Sequence, residues 1–185
     1  MQHRNTLESA HTALVIIDMQ EAFRSKISDF AETAARIALV AHAAQLLNLP
    51  VIVTEQYPRG LGRTADEIRT VLPPALEPIE KTAFSSCGAQ SFVNELERTG
   101  ARHVIVCGIE AHICVNQTAH DLLARGLNVH LLTDCITSRS VANKQVALAK
   151  MQMSGAIPSS TEMALFELMR DARHEQFKAI QNLIK

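Results

Sequence analysis

Tryptophan is absent from this 185-residue chain, and aromatic residues make up only 4% of it. Stacking platforms of the kind that hold single-stranded nucleic acid are therefore scarce. An excess of either charge is missing too: 18 Lys and Arg oppose 19 Asp and Glu, for a formal net charge of −1. Without a basic stripe there is no electrostatic footprint for nucleic acid, and no such partner is expected. Long apolar runs are also lacking. The stretch Ala13 to Ile17 is cut off by Asp18, which leaves it too short for a signal peptide or a membrane span. The four cysteines (Cys87, Cys107, Cys114, Cys135) form no C-x-x-C pair and are too sparse for a disulfide scaffold. These absences predict a reduced, cytoplasmic protein with no membrane partner.

Hydrophobic residues at 47% and charged residues at 20% are ordinary for a folded chain and exclude a disordered one. The length suits one domain over residues 1–185, with no linker or repeat to divide it. Apolar, β-rich runs alternate with helical periodicity. "TALVII" (12–17), "PVIVT" (50–54), "EPIEK" (77–81), "HVIVCG" (103–108), "LNVHLLT" (127–133) and "AIPS" (156–159) read as strands. Phe30, Ala34, Ile37, Ala41 and Ala44 share one helical face, as do Val115, Ala119, Leu122 and Leu123. Further helices are expected over 89–99, closed by Gly100, over 141–153 and around Phe177 to Ile184. Another follows the capping-box pattern Ser159-Ser160-Thr161-Glu162. "EQYPRGLGRTADE" reads as a loop.

Continuous apolar strands alternating with helices imply an α/β fold, a parallel sheet with helices on both faces. Right-handed crossovers place all strand C-terminal ends on one rim, where such sheets bind ligands. That rim collects Asp18, Glu55 to Tyr57, Lys81, Ile109 to Cys114 and Asp134. Cys114 stands in the first turn of a helix, whose partial positive charge favours a thiolate. The alternative is a small buried apolar residue. Asp18 ends a buried run, where a carboxylate is costly unless paired; it is either a cap or a base. Lys81 is either a surface pair with Glu80 or a cation placed to hold an acid–base pair. A thiol, a carboxylate and an ammonium ending three different strands match a nucleophile, its general base and their organiser. His112, two residues before Cys114, faces away at that spacing, and no second ligand pair accompanies it for a zinc site. Cys107 and Cys135 read as core. His42, His103, His120 and His130 read as ordinary surface or half-buried residues.

"ALVIIDMQEAF", "EKTAFSS" and "VIVCGIEAHICVNQTAHDLLARG" together resemble the isochorismatase-like cysteine hydrolases, a superfamily that also holds nicotinamidases and N-carbamoylsarcosine amidases. "TEQYPRGLG", "SRS" and "FKAIQNLIK" are most similar to its isochorismatase-domain-containing group. The resemblance runs from about Thr12 onward. It implies a three-layer Rossmann-like fold whose six parallel strands are ordered 3-2-1-4-5-6. It further implies a catalytic set Asp18, Lys81 and Cys114, and a cis peptide bond between Ile109 and Glu110. The backbone N–H groups of Glu110 and Cys114 would then form an oxyanion hole. Gln20, Phe23 and Tyr57 would line the substrate pocket, and a homo-oligomer is expected. The metal-binding Asp-x-His of nicotinamidases is replaced by Glu55-Gln56-Tyr57, with no histidine from Ala43 through Arg102, so no metal or other cofactor is expected. Isochorismatases proper typically carry glycine in place of the cysteine. The expected activity is therefore metal-independent hydrolysis of a small amide-like or ester-like molecule through a thioester. A non-catalytic binding or regulatory module, a redox-sensing thiol and vinyl ether hydrolysis are the alternatives.

Overall fold

In the computed structural model, which describes His3 and residues 5–185, β1 (Thr12–Ile17) is the central strand and every one of its residues is buried. It pairs in parallel with β2 (Val51–Gln56) on one side and β4 (His103–Gly108) on the other. The sheet is completed by β3 (Ile79–Lys81), β5 (Asn128–Ile136) and β6 (Ile157–Ser159). The order is β3-β2-β1-β4-β5-β6. Among the described residues, eight α-helical segments surround it: α1 (Phe30–Leu46), α2 (Pro58–Leu61), α3 (Asp66–Arg69), α4 (Gln90–Thr99), α5 (Asn116–Ala124), α6 (Val141–Met153), α7 (Thr161–Met169) and α8 (Phe177–Leu183).

Alternation along β1 divides the core. Leu14 and Ile16 pack with Ile37 of α1, Leu165 of α7 and Ile180 of α8. Val15 and Ile17 pack with Phe92 of α4, Leu122 of α5 and Met151 of α6. Two covered faces explain the unbroken apolar strands. Cys107 and Cys135 are wholly buried, as expected of small core residues.

Several boundaries differ from the sequence reading. β2 runs to Gln56 because Glu55 and Gln56 pair with Glu80 and Lys81, so the expected loop loses its first two residues and also holds α2 and α3. β5 continues to Ile136 across an irregularity opposite Val106 and Gly108. This puts Asp134 inside β5, where its carboxylate accepts from the Thr161 N–H at the start of α7 at 3.0 Å, rather than at the ligand rim. The cap of α7 is Ser160, which accepts from Met163 N, one residue later than the expected box.

Gly108 fixes where the rim lies. Its φ is +117°, and a Cβ there would stand 2.0 Å from the Ile17 carbonyl oxygen. Only glycine lets the ends of β1 and β4 come this close.

His103 and His130 depart from expectation. They are buried on neighbouring strands, with His103 Nδ1 and His130 Nε2 3.2 Å apart. The two nitrogens share one proton, and His130 Nδ1 has no partner among the described residues. Burial, reinforced by the neighbouring His103, lowers the His130 pKa to about 4. An unfolded histidine titrates near 6.5, so the folded state binds fewer protons in between. The stability is complete above pH 6.5 and lost as pH falls toward 4, by up to about 3 kcal/mol. Urea midpoints between pH 7.5 and 4.5 are expected to fall for the native chain and to flatten in His130→Gln; parallel curves would contradict this.

Candidate active site

The rim above β1, β2, β3 and β4 carries a buried ion pair. Asp18 follows β1 with φ 50°, a left-handed conformation that aspartate tolerates better than most residues. Its Oδ2 accepts from Lys81 Nζ at 2.6 Å, with both side chains essentially inaccessible. Its Oδ1 accepts from Thr54 Oγ1 at 2.7 Å. Lys81 also donates to Gln56 Oε1 at 2.7 Å and Phe84 O at 3.0 Å. Each charge is thus surrounded by partners, as burial demands.

Sequence reasoning missed Thr54, and placed Gln56 on the rim without giving it a role. Both occupy the C-terminal end of β2, and their side chains take part only because Asp18 and Lys81 converge on that strand. The position of Gln56 depends on Gln20. The Gln20 amide is fully buried; its Oε1 accepts from Gln56 N at 2.8 Å and its Nε2 donates to Gly62 O at 2.6 Å. Glu55, also buried, accepts from Thr64 N and Thr64 Oγ1, both at 2.6 Å, and so pins the same loop. Among the described residues, no three His, Cys, Asp or Glu side chains converge to hold a metal.

Cys114 lies in a π-helical turn, Ala111–Val115, that precedes α5. The Ile109–Glu110 peptide bond is cis. The Glu110 N–H makes no hydrogen bond among the described residues. A cavity of about 290 Å3 is lined by Asp18, Phe23, Leu61, Phe84, Ile109 and Cys114 among others. The structure therefore brings Asp18, Cys114, Phe23, Ile109 and Glu110 to one cavity, with Lys81 directly behind Asp18. Gln20 and Tyr57 are not on its wall. Gln20 holds β2, while Tyr57, 54% exposed, borders a neighbouring cavity of about 420 Å3 together with Lys81. His112 turns away from the thiol to Ser138, at 3.1 Å.

The resting charge of the thiol differs from expectation. The Cys114 pKa is raised to about 12: burial dominates, the Asp18 negative charge and hydrogen bond add to it, and the Lys81 charge opposes them without prevailing. A helix N-terminus acts within its first turn, and here burial outweighs it. Cys114 is a neutral thiol beside a carboxylate, so a proton must move as the sulfur reacts.

Asp18→Asn keeps a residue suited to the left-handed backbone and deletes the charge. The Cys114 thiol is expected to become more acidic in this variant, with iodoacetamide reacting faster at pH 9 than in the native chain. Lys81→Met leaves Asp18 buried without its cation and is expected to cost about 3–5 kcal/mol in urea unfolding. An unchanged alkylation rate in Asp18→Asn would show that the carboxylate does not govern the thiol.

Comparison with known proteins places the fold and the family. Residues 12–163 match the isochorismatase domain. Isochorismatase domain-containing protein 2 of Homo sapiens is 45% identical over 175 residues, covering 94% of this chain and 83% of that protein. MAR1 ribonuclease from Caenorhabditis elegans superposes with a TM-score of 0.92 at 38% identity, over 97% of this chain and 92% of that one. YcaC from Pseudomonas aeruginosa, solved with hexane-2,5-diol and covalent acrylamide, superposes with a TM-score of 0.90 at 25% identity, over 99% and 93%. This chain belongs to the isochorismatase family.

Proposed function

We propose that the protein is a metal-independent cysteine hydrolase acting on a small amide or ester. The observation that carries this reading is a thiol on a cavity wall beside a carboxylate that Lys81 and Thr54 hold in place. Near neutral pH a thiol with a pKa of about 12 attacks efficiently only if a base takes its proton. Asp18 accepts that proton as Cys114 Sγ bonds to the substrate carbonyl carbon. The carbonyl oxygen gains the negative charge and is met by the N–H groups of Glu110 and Cys114. The intermediate then breaks its C–N or C–O bond, and Asp18 returns the proton to the leaving group. Water, deprotonated by Asp18, attacks the resulting thioester and frees the acid, and the proton passes back to sulfur. Lys81 offsets the charge of Asp18 and fixes its direction. The covalent acrylamide of the Pseudomonas aeruginosa relative supports a reading in which this fold carries a nucleophile reactive toward electrophiles.

The cavity of about 290 Å3 lies at the small end of the range for ligand sites, which favours a compact substrate. Its walls of Phe23, Leu61, Phe84 and Ile113 favour an apolar group next to the carbonyl. We also propose that the chain self-associates. One face of α6 exposes Ala142, Val146, Ala149 and Met153, at the spacing of a helix-packing stripe, and Met153 is 90% exposed.

Two measurements test these readings. Native protein and Cys114→Ala should be screened against small amides, ureides and esters, with isochorismate and RNA as further arms. The expected result is turnover of an amide or ester that falls at least ~1000-fold in Cys114→Ala. Full activity in that variant, or turnover of isochorismate or RNA alone, would overturn the mechanism. Light scattering is expected to give a mass well above 20.3 kDa, reduced in a Val146→Glu/Met153→Glu double variant.

A further inference from the structure

Glu110 carries more structure than its N–H requires. Its carbonyl accepts from Ile113 N at 3.0 Å and Val115 N at 3.3 Å, closing the turn that presents Cys114. Its carboxylate, on a residue only 4% exposed, reaches the segment between β5 and α6, where Oε2 accepts from Arg139 N at 2.9 Å and Oε1 from Arg139 Nε at 3.0 Å. The same segment makes parallel contacts with the turn. Ala111 N donates to Thr137 O at 2.9 Å, and Thr137 N to Gly108 O at 3.3 Å. His112 Nδ1 meets Ser138 Oγ at 3.1 Å. Thr137 is itself tethered through its hydroxyl to Asp29 at 2.7 Å. The Cys114 turn is thus fastened at three consecutive residues, 110 to 112, to three others, 137 to 139.

Placing a second carboxylate here is costly. It must be desolvated, and its charge adds to the influences that keep the Cys114 proton in place. Neither effect helps a nucleophile, and the proposed chemistry gives the carboxylate no proton to carry. A positional duty accounts for both costs.

We infer that the Glu110 carboxylate and Arg139 act as positioning residues, locking the turn so that Cys114 and the oxyanion donors stay aimed at one point. This rests on the hydrolase reading for its kinetic consequence, but the lock itself does not. Donors set aside in advance cost no reorganisation during the reaction, so loosening them lowers kcat and leaves KM little changed.

The test compares Glu110→Ala, Glu110→Gln and Arg139→Gln, the last altering a half-exposed side chain that also borders the cavity, so that the Glu110 variants carry the KM readout. Three readouts are taken: kcat and KM on the substrate found by screening, the pH dependence of Cys114 alkylation, and amide hydrogen exchange at Ile113 and Val115. In Glu110→Ala the expected result is a kcat at least tenfold lower, KM within twofold, exchange at least tenfold faster and a more acidic thiol. Glu110→Gln, which still accepts from Arg139 N, restores most of kcat and the slow exchange while its thiol stays more acidic. Arg139→Gln lies between. A more acidic thiol in a slower enzyme separates positioning from electrostatic activation. Exchange within twofold of the native value in both Glu110→Ala and Arg139→Gln would overturn the lock, and faster exchange with unchanged kcat would overturn its positioning role. Absence of turnover by the native chain would refute the hydrolase reading instead, and exchange alone would then decide the lock.

Discussion

The contact between Lys81 and Asp18, 2.6 Å and sealed from solvent, is the constraint around which the rim is organised. Removing two unit charges from water costs several kcal/mol for each ion, and mutual attraction alone rarely repays it. The remainder comes from hydrogen bonds, and those bonds dictate the surrounding chain. Thr54 and Gln56 must end β2 at the right height, Phe84 must turn its carbonyl inward, and Gln20 must hold Gln56 steady. Much of the path from β2 to Thr64 follows from keeping one ion pair satisfied.

The pair also explains why the thiol needs no permanent charge. A standing thiolate would bring a second negative group against Asp18 in a poorly solvated pocket. Burial and the carboxylate together keep the proton on sulfur, and the same carboxylate is the group able to take it. In the mechanism we propose, the reactive form exists only while a substrate is being attacked, which limits side reactions with stray electrophiles and oxidants.

Pattern alone revealed the layers well. Runs such as Thr12 to Ile17 and His103 to Gly108 are apolar without interruption because both sheet faces are covered, so strand order and rim position followed from topology and family likeness. The rim positions of Asp18, Lys81 and Cys114 were legible because Asp18 directly follows β1, Lys81 ends β3 and Cys114 lies in the turn after β4. Thr54 was not, and Gln56 was placed on the rim without a role, since a threonine and a glutamine at a strand end signal nothing specific until their neighbours are known. Glu110 and Arg139 are separated by 29 residues and meet through a turn whose shape no periodicity encodes. His103 and His130 look like polar interruptions in apolar strands; their mutual hydrogen bond depends on the parallel register of β4 and β5. Tyr57 was assigned by proximity in sequence, but the left-handed backbone at that residue directs it to the next cavity.

The missing side chain at Gly108 has a further effect. Because the backbones of β1 and β4 meet there without any intervening group, the separation between the residue after β1 and the turn after β4 is set by main-chain atoms. Ile17 leads directly into Asp18, and Gly108 leads into the Cys114 turn. Volume changes among the aliphatic side chains of either core layer can be absorbed by the helices packed outside without altering that gauge. The hydrophobic interior is therefore free to diverge while the two halves of the reactive pair remain in calibration.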